Sequence, residues 1–131
     1  MKTLYLCGPI NGRTDADATN WREYAKRLWP WQCLDPMRRD YRGRELEDGI
    51  AAEIVAGDIE DIKASDAVLV FFDKPSVGTS MEVFYAKHVL SKPVVVIDAS
   101  DKPLSPWLIH HSDFRSRNMA EALMLLCGLL A

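Results

Sequence analysis

The chain has 131 residues, 48% of them hydrophobic, so we expect a single domain (residues 1–131) with a sizeable core. Its formal net charge of −3 argues against a nucleic-acid partner, which would require a basic surface. Three cysteines without Cys-x-x-Cys spacing predict a reduced, cytoplasmic protein. No apolar stretch is long enough for a signal peptide core or a membrane span, so we expect neither.

Apolar runs and helical patterns alternate along the chain. The apolar runs predict strands at 3–7, 31–34, 67–72 and 93–97, and 106–109 is a further apolar segment. Helical spacing predicts helices at 19–29 (capped by Thr19), 48–63, 79–90 and from about 118 to the end. Strands separated by helices of this length imply right-handed crossovers. We therefore predict an α/β, flavodoxin-like three-layer sandwich with a central parallel sheet of about five strands.

The most informative stretch runs from Ala67 to Ala86. Residues 67–72 show no polar alternation, as expected for a fully buried strand, and turn-forming residues follow at once. Small ligands bind beyond the carboxyl ends of such strands in open parallel sheets. Glu82, predicted in the first turn of the next helix, is therefore expected over a ligand crevice.

Two interpretations of Glu82 are open. Thr79 and Glu82 match a capping box, in which Thr79 is the N-cap and Glu82 serves a structural role. The positive end of the helix dipole would also keep Glu82 ionised, which suits a nucleophile.

The second predicted helix carries an unusual aspartate. Asp58 falls in the middle of an apolar stripe formed by Ala51, Ile54, Val55 and Ile62. It either bonds a neighbouring helix end or lies near the rim, or it is partly buried with a raised pKa and acts as a general acid. Gly57 weakens a helix interior by about 1 kcal/mol relative to alanine, which predicts a close approach at that position.

Other chemistries lack their motifs. We find no phosphate-binding loop with a lysine, no dinucleotide fingerprint and no Gly-x-Ser-x-Gly elbow. The three histidines lack metal-ligand spacing, so no metal is indicated. One ionised and one protonated carboxyl group are the equipment of a retaining glycosidase.

Three segments resemble the nucleoside 2-deoxyribosyltransferase family, which includes the 2′-deoxynucleoside 5′-monophosphate N-hydrolases. They are Tyr-Leu-Cys-Gly-Pro at 5–9, the acidic segment 58–66 and Pro-Ser-Val-Gly-Thr-Ser-Met-Glu at 75–82. The resemblance implies a nucleotide or nucleoside substrate, no cofactor, and a homodimer or larger homo-oligomer with shared active sites. It assigns Glu82 as the nucleophile, Asp58 as the acid that protonates the departing base, and Tyr5 as the residue that orients the nucleophile.

The resemblance also implies a set of substrate-binding residues. They are Gly8, Pro9, Arg13, Ser76, Gly78 and Ser105. Transferases of the family usually have an aspartate in place of Ser76 and an asparagine from a neighbouring subunit in place of Ser105. Serines at both positions resemble the monophosphate hydrolases, because a hydroxyl donates to a phosphate that a carboxylate would repel.

The match to the hydrolases is incomplete. A third serine expected after Gly8 is Pro9 here, and Arg13 is a candidate to compensate by a charge-assisted bond. Either serine is also an ordinary turn residue. Monophosphate hydrolysis is therefore favoured only slightly over base exchange on free nucleosides, and a non-catalytic nucleotide-binding module remains open.

A basic cluster interrupts this acidic chain. It consists of Arg38, Arg39, Arg42 and Arg44. It is either a solvated loop or a lid that attracts an anionic nucleotide. Residues 35–37 and Tyr41 lie where a base can stack, and three tryptophans (Trp29, Trp31 and Trp107) are expected in the core or a subunit interface.

Overall fold

The computed structural model describes residues 2–131. Its five strands form one parallel sheet, as predicted. The strands are β1 (Thr3–Cys7), β2 (Gln32–Leu34), β3 (Ala67–Phe72), β4 (Val94–Asp98) and β5 (Phe114–Ser116). Their order in the sheet is β2-β1-β3-β4-β5. The helices are α1 (Asp15–Leu28), α2 (Ile50–Ala64), α3 (Val77–Phe84), α4 (Pro106–His110) and α5 (Met119–Leu129). A 3-10 turn follows β2 (Pro36–Arg38), and α3 continues into a π-helical turn (Tyr85–Val89).

Alternate residues of the strands face opposite sides of the sheet, and each side has its own core. In β1, Leu4 and Leu6 pack with residues of α1 and α5. Tyr5 and Cys7 face the other side, with residues of α2, α3 and α4. Because side chains alternate with a period of two, the sequence of β1 fixes which of its residues face each helical layer.

The first helix begins five residues earlier than predicted. Thr14, not Thr19, is its N-cap, and the Thr14 hydroxyl accepts a hydrogen bond from the Asp17 backbone N–H at 3.2 Å. Asp15 and Asp17 lie in the first turn, where the helix dipole stabilises negative charge. The Thr19 hydroxyl instead donates to the Asp15 carbonyl inside the helix.

The predicted apolar stripe of α2 is wrong. Ile50 and Ile62 are buried, but Ala51 and Val55 are exposed, the latter by 57%. The reason is that α2 contacts the sheet through only part of its apolar surface. Ile54, Val55 and Ile59 border an open groove that nothing within residues 2–131 fills.

The C-terminal part of the sheet was only partly predicted. The apolar segment at 106–109 belongs to the short helix α4, in which Ser105 is the N-cap and Pro106 the first residue. The edge strand β5 was not predicted because it is only three residues long and two of them are exposed. Within residues 2–131, none of the helices combines the length and apolar character needed to cross a membrane.

Candidate active site

A polar crevice of about 380 Å³ opens at the carboxyl ends of β1 and β3. The two strands are adjacent at the switch point of the strand order, where ligands bind in this topology. Seven predicted site residues line the crevice: Gly8, Pro9, Arg13, Asp58, Ser76, Gly78 and Glu82. The fold thus brings together residues that lie up to 74 positions apart, counted from Gly8 to Glu82.

Two donors from β1 hold the Glu82 carboxyl group. The Tyr5 hydroxyl donates to Glu82 Oε2 at 2.7 Å, and the Cys7 thiol donates to Glu82 Oε1 at 3.3 Å. Tyr5 and Cys7 are two positions apart on one strand, so they face the same helix. Sequence reasoning missed Cys7, although its spacing from Tyr5 is a signal that could have found it.

The predicted capping box is wrong. Ser76 is the N-cap of α3, and its hydroxyl accepts from the Thr79 backbone N–H at 3.4 Å. Glu82 therefore lies in the second turn of α3, too far along to serve as a cap. Its side chain instead accepts hydrogen bonds from Tyr5 and Cys7, so the capping interpretation of this residue is wrong.

Glu82 and Asp58 form an electrostatically linked pair. Burial raises the pKa of Glu82 to about 8, and the charge of Asp58 adds to the rise, while the Tyr5 hydrogen bond opposes it. Burial also raises the pKa of Asp58, and hydrogen bonds with Glu82 and Arg39 oppose that rise. The expectation that Glu82 stays ionised in the free protein is wrong, because burial and Asp58 outweigh the helix dipole. The pair instead shares one proton near neutral pH.

The donors from β1 keep their protons. Burial, followed by the charge of Glu82, holds the pKa of Tyr5 well above its usual value. The same two causes raise the pKa of the Cys7 thiol. Both groups are therefore neutral hydrogen-bond donors to Glu82 over the whole physiological pH range.

Gly8 and Arg13 shape the far side of the crevice. A Cβ on Gly8 would lie 2.6 Å from the Trp21 ring, so only glycine lets β1 leave the sheet beside this tryptophan. Both terminal nitrogens of Arg13 donate to the Asp73 carboxylate, at 2.7 and 2.8 Å. Arg13 thus lines the crevice while its charge is neutralised by Asp73.

Carboxylates pair with every member of the arginine cluster. Arg38 and Arg39 donate to Asp61, Arg42 donates to Asp40 and Asp15, and Arg44 donates to Glu47. Of the four, Arg39 lines the crevice, together with Pro36 and Tyr41. The attraction of an anion that we expect if this cluster forms a lid is reduced accordingly in the free protein.

An apolar groove of about 730 Å³ adjoins the crevice, and both are lined by Asp58 and Glu82. Ser105 lines this groove rather than the crevice, and its hydroxyl accepts from the Trp107 backbone N–H at 3.1 Å. Large apolar side chains in the groove are exposed: Val55, Met81, Phe84 and Trp107. Trp29 is buried in the core, and Trp31 and Trp107 are exposed in the single chain, so their place in a subunit interface stays a prediction.

Comparisons with known proteins identify the family and the fold. The model of the nucleoside 2-deoxyribosyltransferase family matches residues 4–124. A 2-deoxyribosyltransferase from Bacillus psychrosaccharolyticus has a similar structure, with a TM-score of 0.72, 18% identity, and coverage of 91% of this chain and 88% of that one. At this identity the likeness shows a common fold. A comparison with curated proteins gives no match. The chain belongs to the nucleoside 2-deoxyribosyltransferase family and is an enzyme that acts on N-glycosidic bonds.

Proposed function

We propose that this enzyme cleaves the N-glycosidic bond of a deoxynucleoside 5′-monophosphate and releases the free base. The observation that carries the proposal is that Glu82 and Asp58 line one crevice and each shifts the pKa of the other. Two carboxyl groups that share one proton in a crevice of about 380 Å³ supply both the nucleophile and the acid of a retaining mechanism.

In this mechanism an oxygen of Glu82 attacks C1′ as the bond between C1′ and the base breaks. Asp58 gives its proton to the departing base, and a glycosyl ester on Glu82 remains. Asp58, now ionised, takes a proton from the attacking water, which resolves the ester and restores both carboxyl groups. The reactive form carries the shared proton on Asp58, which lines the same crevice as Glu82 and receives the proton from it.

Support for a 5′-phosphate comes from the start of α3. Ser76 brings a hydroxyl instead of a carboxylate, and the N-terminus of α3 adds backbone N–H groups and a favourable dipole. Gly78 has nothing within 4 Å of a Cβ position, so the space beside it is open. A phosphate beside Ser76 and Gly78 would meet no carboxylate from α3 itself until Glu82.

Base exchange on a free deoxynucleoside is the second candidate. The observation that favours it is the Arg13–Asp73 pair, in which Asp73 occupies both terminal nitrogens of the arginine. With Pro9 also unable to donate, two of the expected phosphate contacts are engaged or missing. In this reaction a second base, rather than water, attacks the glycosyl ester.

Substrate mixtures separate the two reactions. We expect free base from one or more of dAMP, dGMP, dCMP and dTMP, measured by chromatography, and no exchange when a nucleoside is mixed with a second base. Exchange of bases without release from any monophosphate would support the transferase instead. Loss of turnover in Glu82→Ala, with an unchanged circular dichroism spectrum, is expected for either reaction.

A leaving group that needs no proton tests Asp58. Asp58→Asn should slow cleavage of an ordinary deoxynucleotide by about 10²- to 10⁴-fold, because the base must leave without an acid. The 7-methylguanine deoxynucleotide carries a cationic base, so its cleavage should be affected much less. An equal loss with both substrates would contradict the role of Asp58 as the acid.

We also propose that the enzyme is a homo-oligomer in which a second copy covers the apolar groove. Val55, Met81 and Trp107 are exposed by 57%, 67% and 70%, and contiguous exposed apolar surface of this kind marks an interface. The groove reaches Glu82 and contains Ser105, so a second copy there can contribute Ser105 to the site. Trp107→Glu should give monomers in analytical ultracentrifugation, whereas the control Met124→Glu, on the exposed face of α5, should not.

A further inference from the structure

Arg39 has an unusual position beside the carboxyl pair. It follows the 3-10 turn and reaches across to α2, where its Nη2 donates to Asp61 Oδ2 at 2.8 Å and to Asp58 Oδ1 at 3.3 Å. Asp58 and Asp61 are three residues apart, so they lie on the same side of the helix. One guanidinium nitrogen therefore connects the candidate acid to a buried carboxylate one turn away.

Gly57 makes this approach possible. A Cβ at this position would lie 2.6 Å from Arg39 Nε and 3.0 Å from Cζ. The guanidinium therefore lies directly on the backbone of α2, where any side chain larger than hydrogen would displace it. A glycine inside a helix costs about 1 kcal/mol relative to alanine, and the close approach of Arg39 explains why one is present here.

We propose that Arg39 is a positioning residue, held in a seat formed by Gly57 and Asp61, which orients Asp58 and biases the shared proton toward Glu82 in the free enzyme. The inference rests on the proposed function, since that function gives Asp58 its role as the acid. Arg39 acts through Asp58.

The charges around the pair support this role. Asp58, on α2, faces two residues of other segments: Glu82 on α3, and Arg39 in the segment after the 3-10 turn. Asp61 lies behind Arg39. Tyr5 and Cys7 from β1 bond Glu82 and are neutral. Arg13, the other cation lining the crevice, is bound to Asp73. Arg39 is thus the cation in hydrogen-bonding contact with the pair, and it favours the ionised form of Asp58.

Without this cation, both pKa values of the Asp58–Glu82 pair should rise, because each loss of a proton creates negative charge that Arg39 stabilises. Arg39→Gln should therefore move both limbs of the pH profile of kcat/KM to higher pH, by about one unit. Gly57→Ala should shift both limbs in the same way although Arg39 is still present, because the new methyl group displaces its guanidinium from Asp58. The double variant should shift the profile no further than either single variant, because both remove the same contact.

Two control variants test whether the effect is specific to the contact that Arg39 makes with Asp58 beside Gly57. Arg38→Gln removes an arginine that also binds Asp61 but has no bond to Asp58, and it should leave the pH limbs in place. Gly128→Ala changes another helical glycine, with nothing within 4 Å of its Cβ position, and should also leave them in place. Arg39→Lys retains a positive charge and should restore part of the shift.

Carboxyl ¹³C NMR titration of the free protein gives a readout that needs no substrate. We expect the Asp58 and Glu82 transitions to move to higher pH in Arg39→Gln and Gly57→Ala, but not in Arg38→Gln. Unmoved transitions in both of the first two variants, or an equal movement in Arg38→Gln, would overturn the inference. Wild-type protein that titrates as expected but cleaves no substrate would instead refute the proposed function.

Discussion

The two faces of the sheet use the same strands for different purposes. On the side of α1 and α5, residues such as Leu4 and Leu6 pack into a closed core of aliphatic and aromatic side chains. On the side of α2 and α3, Tyr5 and Cys7 are equally buried, but their polar atoms hold Glu82 at the edge of the crevice. Alternate residues of one strand can therefore be divided between stability and chemistry.

The side of the sheet that faces α2 and α3 is called the chemical face below. Of the variants on this face, Glu82→Gln should have the largest effect on turnover. The amide cannot form the glycosyl ester, so turnover should fall by at least about 10³-fold while the fold persists. Steady-state kinetics and circular dichroism measure the two quantities. A variant with full turnover would show that the nucleophile lies elsewhere.

Leu6→Ala and Tyr5→Phe compare adjacent residues on opposite faces. Leu6→Ala leaves a cavity in the closed core, so its free energy of unfolding should fall by about 2–5 kcal/mol. Its turnover per folded molecule should hardly change.

Tyr5→Phe should show the reverse pattern. Removing the 2.7 Å hydrogen bond to Glu82 should lower kcat by about 10- to 100-fold and stability by about 1 kcal/mol. Urea titration and kinetics on the same samples provide the comparison. If both variants lost stability and turnover in the same proportion, the division between the faces would be wrong.

The pH dependence of stability should also originate from the chemical face. The pKa of Glu82 is raised from 4.5 to about 8, so between these values the folded state holds a proton that the unfolded chain has released. The free energy of unfolding should therefore fall as the pH rises through this window, by at most about 1.4 kcal/mol per pH unit. Thermal unfolding at several pH values measures the slope. Glu82→Gln should flatten it, and an unchanged slope would assign it to other groups.

Cys7→Ala should have the smallest effect. The hydrogen bond from the Cys7 thiol is the weaker of the two to Glu82, and it lowers the pKa of the Glu82 carboxyl group. Without this bond, the pKa of Glu82 should rise slightly further. We expect a loss of kcat of a few-fold, since a thiol is a weak donor. Cys7→Ser, which keeps a donor, should recover activity; a serine variant as slow as the alanine variant would argue against the hydrogen bond.

Much of the fold could be predicted from local pattern. The buried runs that became β1, β3 and β4 contain few polar residues, so their state did not depend on distant contacts. Short strands and helix starts that depend on a capping residue were harder to predict. The start of α1 depends on Thr14 rather than Thr19, and β5 exists because it pairs with β4. Neither competition between caps nor pairing at a sheet edge is visible in periodicity.

By itself, the sequence determined the alternating α/β architecture and the candidate residues Glu82, Asp58 and Tyr5, because strand and helix periods and the family's motifs are local properties of the chain. Only the tertiary structure decided that Ser76 caps α3, that Asp73 binds Arg13 and that Glu82 has a raised pKa. These outcomes depend on burial and on charges contributed by segments far apart in sequence, and such quantities exist only once the chain has folded.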